Sequence, residues 1–303
     1  CAGLGLPPGR NGNIVSIRLD ERECRTLKDT KHDFVSSSPA AQVIVGRRVK
    51  NMNIVVAMKQ IPDLQQIRVS NRRPVLQDVP LTFGGIDKSA LEAAVVLKES
   101  LGEVKVWVLS AGSEELEDTV KEALAAGGDE AYLVIDQSLA GADSSIIAQV
   151  LAAGIKQLND VDLILFGEGS GDNYSGQVGA RVARLLELPL VSYARDIKID
   201  GDTAQVVRVL EDCEEVLEVK LPAVITVLSD IGEPRIPSVT QILKAGKKPK
   251  QTAELDDLGI SAGQSNPVIT LSNLAPESNR KRIVVKNPVE LVEKLKSENL
   301  IGG

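Results

Sequence analysis

The stretch DLILFGEGSGDNYSGQVGARVARLLEL, residues 162–188, carries the pattern that decides the fold. Its first five residues are almost all apolar, as in a strand buried on both faces, and a glycine-dense loop follows them. The part from residue 176 onward has the apolar spacing of a helix and stops before Pro189. Strand, loop and helix in this order form one unit of a parallel sheet, and the loop stands where such sheets bind ligands.

The same alternation recurs along the chain. It predicts strands over residues 53–58, 103–112, 130–136 and 161–166, and helices over residues 88–100, 113–128 (capped by Ser113), 144–158 and 176–188. Residues 196–228 alternate in strand fashion and predict a meander that ends in another buried strand. We therefore predict an α/β fold with a parallel sheet covered by helices on both faces.

Three parts of the chain differ in composition. Residues 1–51 precede the first methionine and mix charged residues with Gly, Pro and Ser, so we expect an extension that is poorly ordered or not native. Residues 52–231 hold the strands and helices of the α/β nucleotide-binding domain. Residues 232–303 have too few periodic apolar segments to bury a core, which predicts a C-terminal arm with a last helix over residues 288–298.

Composition excludes several classes of function. A formal net charge of -7 argues against a nucleic-acid partner. One histidine and three cysteines without metal-ligand spacing predict no metal site, and no nucleophile–base pair stands out, so no catalytic residue is assigned. No apolar run reaches transmembrane length and the amino terminus lacks a signal-peptide core, so we expect a cytoplasmic protein without a transmembrane segment.

The glycine-dense loop has two interpretations when only its residues are considered. Its glycines permit close backbone approach, and the helix that begins near Ser175 offers free N–H groups to a phosphate, as do the Ser175 hydroxyl and the Gln177 amide. Glu168 and Asp172 oppose an anion unless they turn outward. The spacing matches neither the dinucleotide fingerprint nor the P-loop. Phosphate binding and a plain flexible turn both remain open.

Two side chains outside this loop belong to strand ends at the same edge of the predicted sheet. Lys59 follows the first strand and is a candidate partner for an anion. Asp87 is placed to cap the helix over residues 88–100, which is the ordinary role of an aspartate at a helix start.

Several stretches together resemble the β subunit of electron transfer flavoproteins, the family that includes the FixA-like proteins. They are MNIVVAMKQIPD (52–63), SALEAAVVLKE (89–99), KEALAAGGDEAYLV (121–134), the opening stretch extended to Tyr193, and VRVLEDCEEVLEVKLPAVITV (207–227). EPRIPSVTQILKAGKKP (233–249) resembles the partner-recognition loop of that family and its following basic segment. The resemblance covers most of the chain from residue 52 to residue 300, in the family's order.

This resemblance implies a subunit of the adenine nucleotide α-hydrolase-like type within a heterodimer. The α subunit of such a heterodimer carries the redox-active FAD, and the β subunit encloses AMP or, in bifurcating members, a second FAD. The resemblance also implies docking of an acyl-CoA dehydrogenase, or of another dehydrogenase or a quinone reductase. The implied nucleotide-binding residues are Ala57, Lys59, Asp63, Gly84, Gly85, Ile86, Asp87, Ala111, Gly112, Asp172, Asn173, Ser175, Gly176 and Gln177. The implied docking residues are Ile236, Pro237, Val239, Ile242 and Leu243.

The chain departs from the family pattern at two places. Residues 84–87 read Gly-Gly-Ile-Asp where the family commonly has Asn-Pro-x-Asp, and residues 167–172 read Gly-Glu-Gly-Ser-Gly-Asp where many members have Gly-Lys-Gln-Ala-Ile-Asp. We expect the glycines at 84, 85, 169 and 171 to leave room in the crevice, which favours a second FAD over AMP.

Two other classes of function remain open. One is a stand-alone adenine-nucleotide-binding α/β protein of the ATP-sensing, USP-like type, which would explain the first strand and the glycine loop. It would not explain the meander over residues 196–228 or the C-terminal arm. The other is a scaffold without a ligand, in which Ser175 and Gln177 matter for stability alone.

Overall fold

The computed structural model describes residues 51–261, 266–268, 270–277, 280 and 282–301, and the backbone of residues 16–18. The rest of the predicted extension over residues 1–51 lies outside the described residues. The chain divides into two units. The larger unit comprises Cys1–Ile67 and Gln77–Ile269, and the smaller one comprises Arg68–Leu76 and Thr270–Gly303.

The described part of the chain folds into fourteen strands and six α-helices. The strands are β1 (Ser16–Arg18), β2 (Met52–Ala57), β3 (Gln60–Pro62), β4 (Arg68–Ser70), β5 (Arg73–Val75), β6 (Leu81–Phe83), β7 (Val104–Gly112), β8 (Glu130–Ile135), β9 (Val161–Gly167), β10 (Leu190–Asp200), β11 (Thr203–Val209), β12 (Glu214–Lys220), β13 (Ala223–Val227) and β14 (Lys250–Ala253). The helices are α1 (Gly85–Leu101), α2 (Leu116–Ala125), α3 (Ser144–Gln157), α4 (Val178–Leu186), α5 (Val239–Ala245) and α6 (Pro288–Ser297).

One ten-stranded sheet forms the core of the larger unit, with the strand order β1-β12-β11-β10-β13-β9-β2-β7-β8-β14. The seven strands from β10 to β14 in this order are parallel to their neighbours, and β11, β12 and β1 extend the sheet antiparallel at one edge. This arrangement confirms the predicted α/β fold, and the antiparallel extension is the predicted meander.

The helices lie on both faces of this sheet because the strand residues are apolar on both faces. Ile54 and Val56 of β2 belong to the core that α1 and α2 cover, whereas Val55 and Ala57 belong to the core that α3 and α4 cover. All four side chains are buried, Ala57 being the most exposed at 4%. A strand that buries both faces needs a continuous apolar run, and this requirement explains the sequence NIVVAM.

Strands that follow β2 in the chain are added to the sheet first on one side of β2 and then on the other. The chain goes from β2 to β7 and β8 on one side, and then crosses to β9 on the other side. Consequently α1, on the crossover from β2 to β7, covers one face of the sheet, and α4, which follows β9, covers the opposite face. Adjacent parallel strands whose helices diverge in this way open a crevice at their carboxyl ends, where α/β proteins bind ligands. We call the edge between the ends of β2 and β9 the crevice.

Several elements differ from the sequence-based expectation. Helix α2 begins at Leu116, with Glu115 at its N-cap, so the prediction that Ser113 caps it was wrong. Strand β10 begins at Leu190, before the predicted meander, and pairs with β13 through a register shift between Val191 and Ala194. The shift breaks the strict alternation on which the prediction relied.

The described residues of the smaller unit form a hairpin, β4–β5, and the helix α6. Arg72, at the turn between β4 and β5, donates from Nε to the carbonyl of Ala275 and forms an ion pair with Glu277. Helix α6 starts after Asn287, whose side chain accepts a hydrogen bond from the Glu290 N–H group. This helix confirms the one predicted over residues 288–298.

Candidate functional site

The crevice is built around the carboxylate of Asp87 in the first turn of α1. One carboxylate oxygen, Oδ2, accepts a hydrogen bond from the backbone N–H of Lys59 at 2.8 Å, and the backbone N–H of Gly167 also donates to the carboxylate. Asp87 thus joins the segments that leave β2 and β9. The expectation that Asp87 caps its own helix was wrong, because the N-cap of α1 is Gly84 and no side chain caps that end.

Burial controls the protonation of Asp87. The residue is only 6% exposed, and this loss of water raises the pKa of its carboxyl from 3.8 to about 7. The N–H groups of Lys59 and Gly167 and the charge of Lys59 act in the opposite direction without cancelling the effect of burial. The crevice therefore holds a carboxyl group that changes charge near neutral pH.

Gly167 is needed at the end of β9 because Asp87 approaches it closely. A Cβ atom at this position would lie 2.6 Å from Oδ1 of Asp87 and 3.1 Å from Cγ2 of Ile86. Any larger side chain would force Asp87 and its neighbours in the first turn of α1 to shift. Sequence reasoning counted Gly167 among the loop glycines and missed this contact.

Lys59 and Asp172 form an ion pair across the crevice. The Nζ atom of Lys59 lies 2.6 Å from Oδ2 and 2.8 Å from Oδ1 of Asp172. Burial alone would raise the pKa of Asp172, but hydrogen bonds from Lys59 and Ser170 and the charge of Lys59 outweigh it and hold the pKa below its ordinary value. The pairing offsets the negative charge that counted against an anionic ligand in the sequence.

The other carboxylate of this loop, Glu168, also has a partner. It accepts a hydrogen bond from the phenol of Tyr174, and this bond raises the pKa of the tyrosine. The ring of Tyr174 lies over Gly169, where a Cβ atom would be 3.0 Å from Cδ2 of the ring. A Cβ atom at Gly171 would lie 2.8 Å from Cδ1 of Leu64.

These two contacts correct the expectation about room in the crevice. The space beside Gly169 and Gly171 is filled by Tyr174 and Leu64. At Gly85, in contrast, a Cβ atom would meet nothing within 4 Å, and at Gly84 it would make ordinary contacts of 3.6 Å. At the start of α1, Gly85 therefore faces open space and Gly84 has room for a Cβ atom, whereas the space beside Gly169 and Gly171 is filled.

The two helices that start at the crevice have no side-chain cap. This holds for α1 after Gly84 and for α4, which begins at Val178 with Gln177 rather than Ser175 at its N-cap. Side chains do cap α3, through Asp143, and α5, through Ser238. The N-terminal N–H groups of α1 and α4 are thus available to an anion, and both helix dipoles favour negative charge there.

The remaining residues of the β9–α4 loop are exposed. Asn173, Ser175 and Gln177 all face solvent, and Gly176 has a φ of +62° that favours glycine. The side-chain oxygen of Gln177 accepts from Arg181 at 2.8 Å, so its amide nitrogen is oriented as a donor.

The other implied nucleotide-binding residues lie at neighbouring strand ends. Ala57 is the last residue of β2, and Ala111 and Gly112 end β7, which pairs with it. Asp63 makes local contacts: its carboxylate accepts hydrogen bonds from the backbone N–H of Gln65 and the side-chain amide of Gln66. The structure therefore brings the implied residues to one edge of the sheet and ties Asp63 to its own turn.

The implied docking residues lie on and just before α5. Ile236, Val239 and Leu243 are 94%, 74% and 72% exposed, Ile242 is exposed as well, and Pro237 is partly buried. Ser238 and Gln241 form a capping box at the start of this helix. We refer to residues 236–243 as the docking segment. Four exposed apolar residues within eight consecutive residues are typical of an interaction surface.

Neither a metal-binding cluster nor a membrane-spanning helix occurs in the described part of the chain. It has no group of three or more His, Cys, Asp and Glu arranged to hold a metal ion. None of its helices combines the length and the apolar character needed to cross a membrane.

Comparison with known proteins agrees with this architecture. The model of the electron transfer flavoprotein domain matches residues 75–258. The chain is 35% identical to the electron transfer flavoprotein subunit beta of Thermoanaerobacterium thermosaccharolyticum, over 82% of this chain and 100% of that protein. It is 37% identical to the CarD subunit of the caffeyl-CoA reductase–Etf complex of Acetobacterium woodii, over 69% of this chain and 81% of that protein.

A third relative is similar over the same length. The electron transfer flavoprotein subunit beta of Clostridium acetobutylicum is 34% identical, over 82% of this chain and 100% of that protein. The α/β fold with a crevice at its topological switch point is the architecture of α/β proteins that bind ligands at the carboxyl ends of their strands. Within that class, the chain belongs to the electron transfer flavoprotein family.

Proposed function

We propose that this chain is the β subunit of a heterodimeric electron transfer flavoprotein that binds an adenine nucleotide in its crevice. Together with an α subunit that carries FAD, it passes electrons between a dehydrogenase and an acceptor in the cytoplasm. The observation that carries the proposal is the convergence of two uncapped helix N-termini, those of α1 and α4, on the edge that holds Lys59. Backbone N–H groups and one cation are the donors that a phosphate needs.

The residues of the crevice fit a nucleotide phosphate. Asp172 is paired with Lys59, and Asp87 carries a proton over part of its population near pH 7, so these two carboxylates repel an anion less than two unpaired, ionised carboxylates would. The open space at Gly85 admits a ligand against the start of α1. Ser175 and Gln177 would contact the ligand from the exposed loop.

The nucleotide decides whether the heterodimer bifurcates electrons. FAD supplies a ring that accepts and donates electrons, whereas AMP supplies none. Open space beside Gly85 supports a second FAD, whereas the space beside Gly169 and Gly171 is filled by protein side chains and gives it no support. We propose a second FAD as the nucleotide of the crevice, with AMP as the alternative, and the nucleotide content of the heterodimer decides between them.

Partners would meet this chain through exposed apolar surface. The docking segment is the proposed contact for an acyl-CoA dehydrogenase, another dehydrogenase or a quinone reductase. The relative in the caffeyl-CoA reductase–Etf complex supports an assembly with such an enzyme.

Nucleotide content of the purified heterodimer tests the proposal. The chain is co-expressed with its α subunit, the complex is denatured, and the released nucleotides are separated and counted per heterodimer. Two FAD molecules support the bifurcating form, and one FAD with one AMP supports the ordinary form. One FAD with no second adenine nucleotide contradicts binding in the crevice, and a stable monomer that binds ATP without an α subunit favours the stand-alone protein.

A matched pair of variants locates the nucleotide. Lys59→Met removes the cation of the crevice and is expected to lower retention of the second nucleotide. Lys198→Met removes an exposed lysine that pairs with Asp196 on β10 and leaves the crevice intact. Equal retention in the two variants would argue against a phosphate beside Lys59.

A further inference from the structure

The docking segment is fastened to the body of the larger unit at both of its ends. Arg235 precedes its first residue, and Lys248 follows α5 after a short turn. Between these two residues, four apolar side chains face solvent and only Ala245 of α5 is buried. So small an apolar contact does not by itself hold a seven-residue helix in place.

Arg235 binds two carboxylates of α1. Its Nε and Nη2 atoms donate to the two oxygens of Glu92, both at 2.8 Å, and its Nη1 atom donates to Glu99 at 2.7 Å. The backbone N–H of Arg235 also donates to Glu92 at 3.2 Å. The carboxylate of Glu92 is 11% exposed and that of Glu99 is 61% exposed. A longer bond of 3.3 Å joins Nη2 to the second oxygen of Glu99. The contact with Glu92 is therefore the stronger one, because both of its side-chain bonds are short and it is shielded from water.

Lys248 binds the end of α2. Its Nζ atom donates to the carbonyl of Leu124 at 2.7 Å and to the carbonyl of Gly128 at 2.6 Å. These carbonyls belong to the last turn of α2 and to the residues after it, where a cation is favoured by the helix dipole. Helix α5 packs against the same helix, α2.

We infer that Arg235 and Lys248 are positioning residues that hold the docking segment in its binding conformation before a partner arrives. This inference rests on the proposed function, because it assigns the exposed side chains of the segment to a partner. Neither residue needs to touch that partner. Their effect is to lower the conformational entropy that the segment loses on binding.

Different substitutions remove the contacts of Arg235 and of Lys248. Lysine at position 235 keeps the charge but loses the planar fork that binds both oxygens of Glu92, so Arg235→Lys should restore only part of the function. Glutamine at position 235 removes the charge and leaves the largely buried carboxylate of Glu92 without its cation. Methionine at position 248 leaves the two carbonyls without a donor.

Hydrogen exchange of the heterodimer tests the positioning without any partner. In Arg235→Gln and in Lys248→Met, the amides of residues 239–245 should exchange roughly tenfold faster than in the wild type, while those of β2 and β9 stay unchanged. Arg195→Gln is the control, since it breaks an exposed ion pair with Glu214 on the meander. Unchanged exchange over residues 239–245 in both variants would overturn the inference.

Electron transfer with a purified acyl-CoA dehydrogenase that reduces the wild-type heterodimer then tests docking. Arg235→Gln should raise the KM for the dehydrogenase roughly tenfold and leave kcat within about twofold, because only the binding step changes. Arg235→Lys should lie between the wild type and Arg235→Gln. Suppose that Val239→Asp raises the KM. Faster exchange in Arg235→Gln without a change in its KM would then overturn the inference.

Val239→Asp separates this inference from the proposed function. It places a charge on the exposed face of the docking segment without touching either fastening. If it leaves the KM unchanged, the segment does not dock the dehydrogenase, and the proposed docking role fails. Exchange rates in Arg235→Gln and Lys248→Met still decide whether the two residues hold the segment.

Discussion

Asn in place of Asp87 should change how the stability of the larger unit depends on pH. The folded state raises the pKa of Asp87 from 3.8 to about 7, so the folded protein binds this proton more tightly than the unfolded chain. The resulting stabilisation is fully present below pH 3.8 and is lost as pH rises to about 7. Asparagine cannot titrate, so Asp87→Asn removes this dependence.

The magnitude follows from the width of that interval. The wild type loses about 1.36 kcal/mol per pH unit relative to the variant well below pH 7 and about half that at pH 7, which amounts to about 2.7 kcal/mol from pH 5 to pH 8 and little further above pH 8. The free energy of unfolding of Asp87→Asn therefore gains about 2.7 kcal/mol on that of the wild type between pH 5 and pH 8.

Urea unfolding followed by tryptophan fluorescence measures this difference. Trp107 is the single tryptophan of the chain, lies on β7 beside β2, and is 8% exposed, so its emission reports unfolding of the larger unit. Asp162→Asn is the matched control. Its Oδ2 atom accepts a hydrogen bond from the Asn53 N–H and links the same two strands at their other end, but it stays in contact with solvent. A stability difference between wild type and Asp87→Asn that stays constant from pH 5 to pH 8 would refute the reasoning.

Two further predictions concern the same edge of the sheet. Gly167→Ala should destabilise the larger unit by about 1–3 kcal/mol in the same unfolding assay, because its Cβ would lie 2.6 Å from Asp87, whereas Gly85→Ala has open space and should change little. A loss of stability in Gly85→Ala as large as in Gly167→Ala would contradict this. Nucleotide affinity, measured by equilibrium dialysis, should fall between pH 6 and pH 8 as the carboxyl of Asp87 ionises, and it should fall less in Asp87→Asn. Lys59→Met should weaken this affinity roughly tenfold at all these pH values, since Asp172 then stays unpaired, while changing stability by less than about 1 kcal/mol.

The core of the fold could be predicted because its strands bury both faces. In an α/β chain, short continuous apolar runs such as NIVVAM and DLILF indicate buried strands, and the helices between them have regular apolar spacing. Strand β10 was harder, because the register shift near Val191 interrupts its pattern. Helix α5 escaped prediction because its apolar residues face solvent, so its pattern is not that of a helix packed on a core.

The sequence was enough to predict where the site lies, but it predicted few of the contacts within the site. Residue types at strand ends indicate the edge where a ligand binds, but they do not show which groups meet there. Asp87 has the sequence context of a helix cap, and only the tertiary structure brings the N–H groups of Lys59 and Gly167 to its carboxylate. The pairing of Lys59 with Asp172 likewise joins residues far apart in the chain.

Helix α1 carries residues of both proposed sites. Asp87 lies in its first turn at the crevice, and Glu92 and Glu99, further along, hold Arg235 at the root of the docking segment. At about 1.5 Å per residue, Asp87 and Glu99 are separated by about 18 Å along one rigid rod. Because the helix is rigid, any displacement along its axis moves Asp87 in the crevice and the two glutamates that hold Arg235 by the same distance.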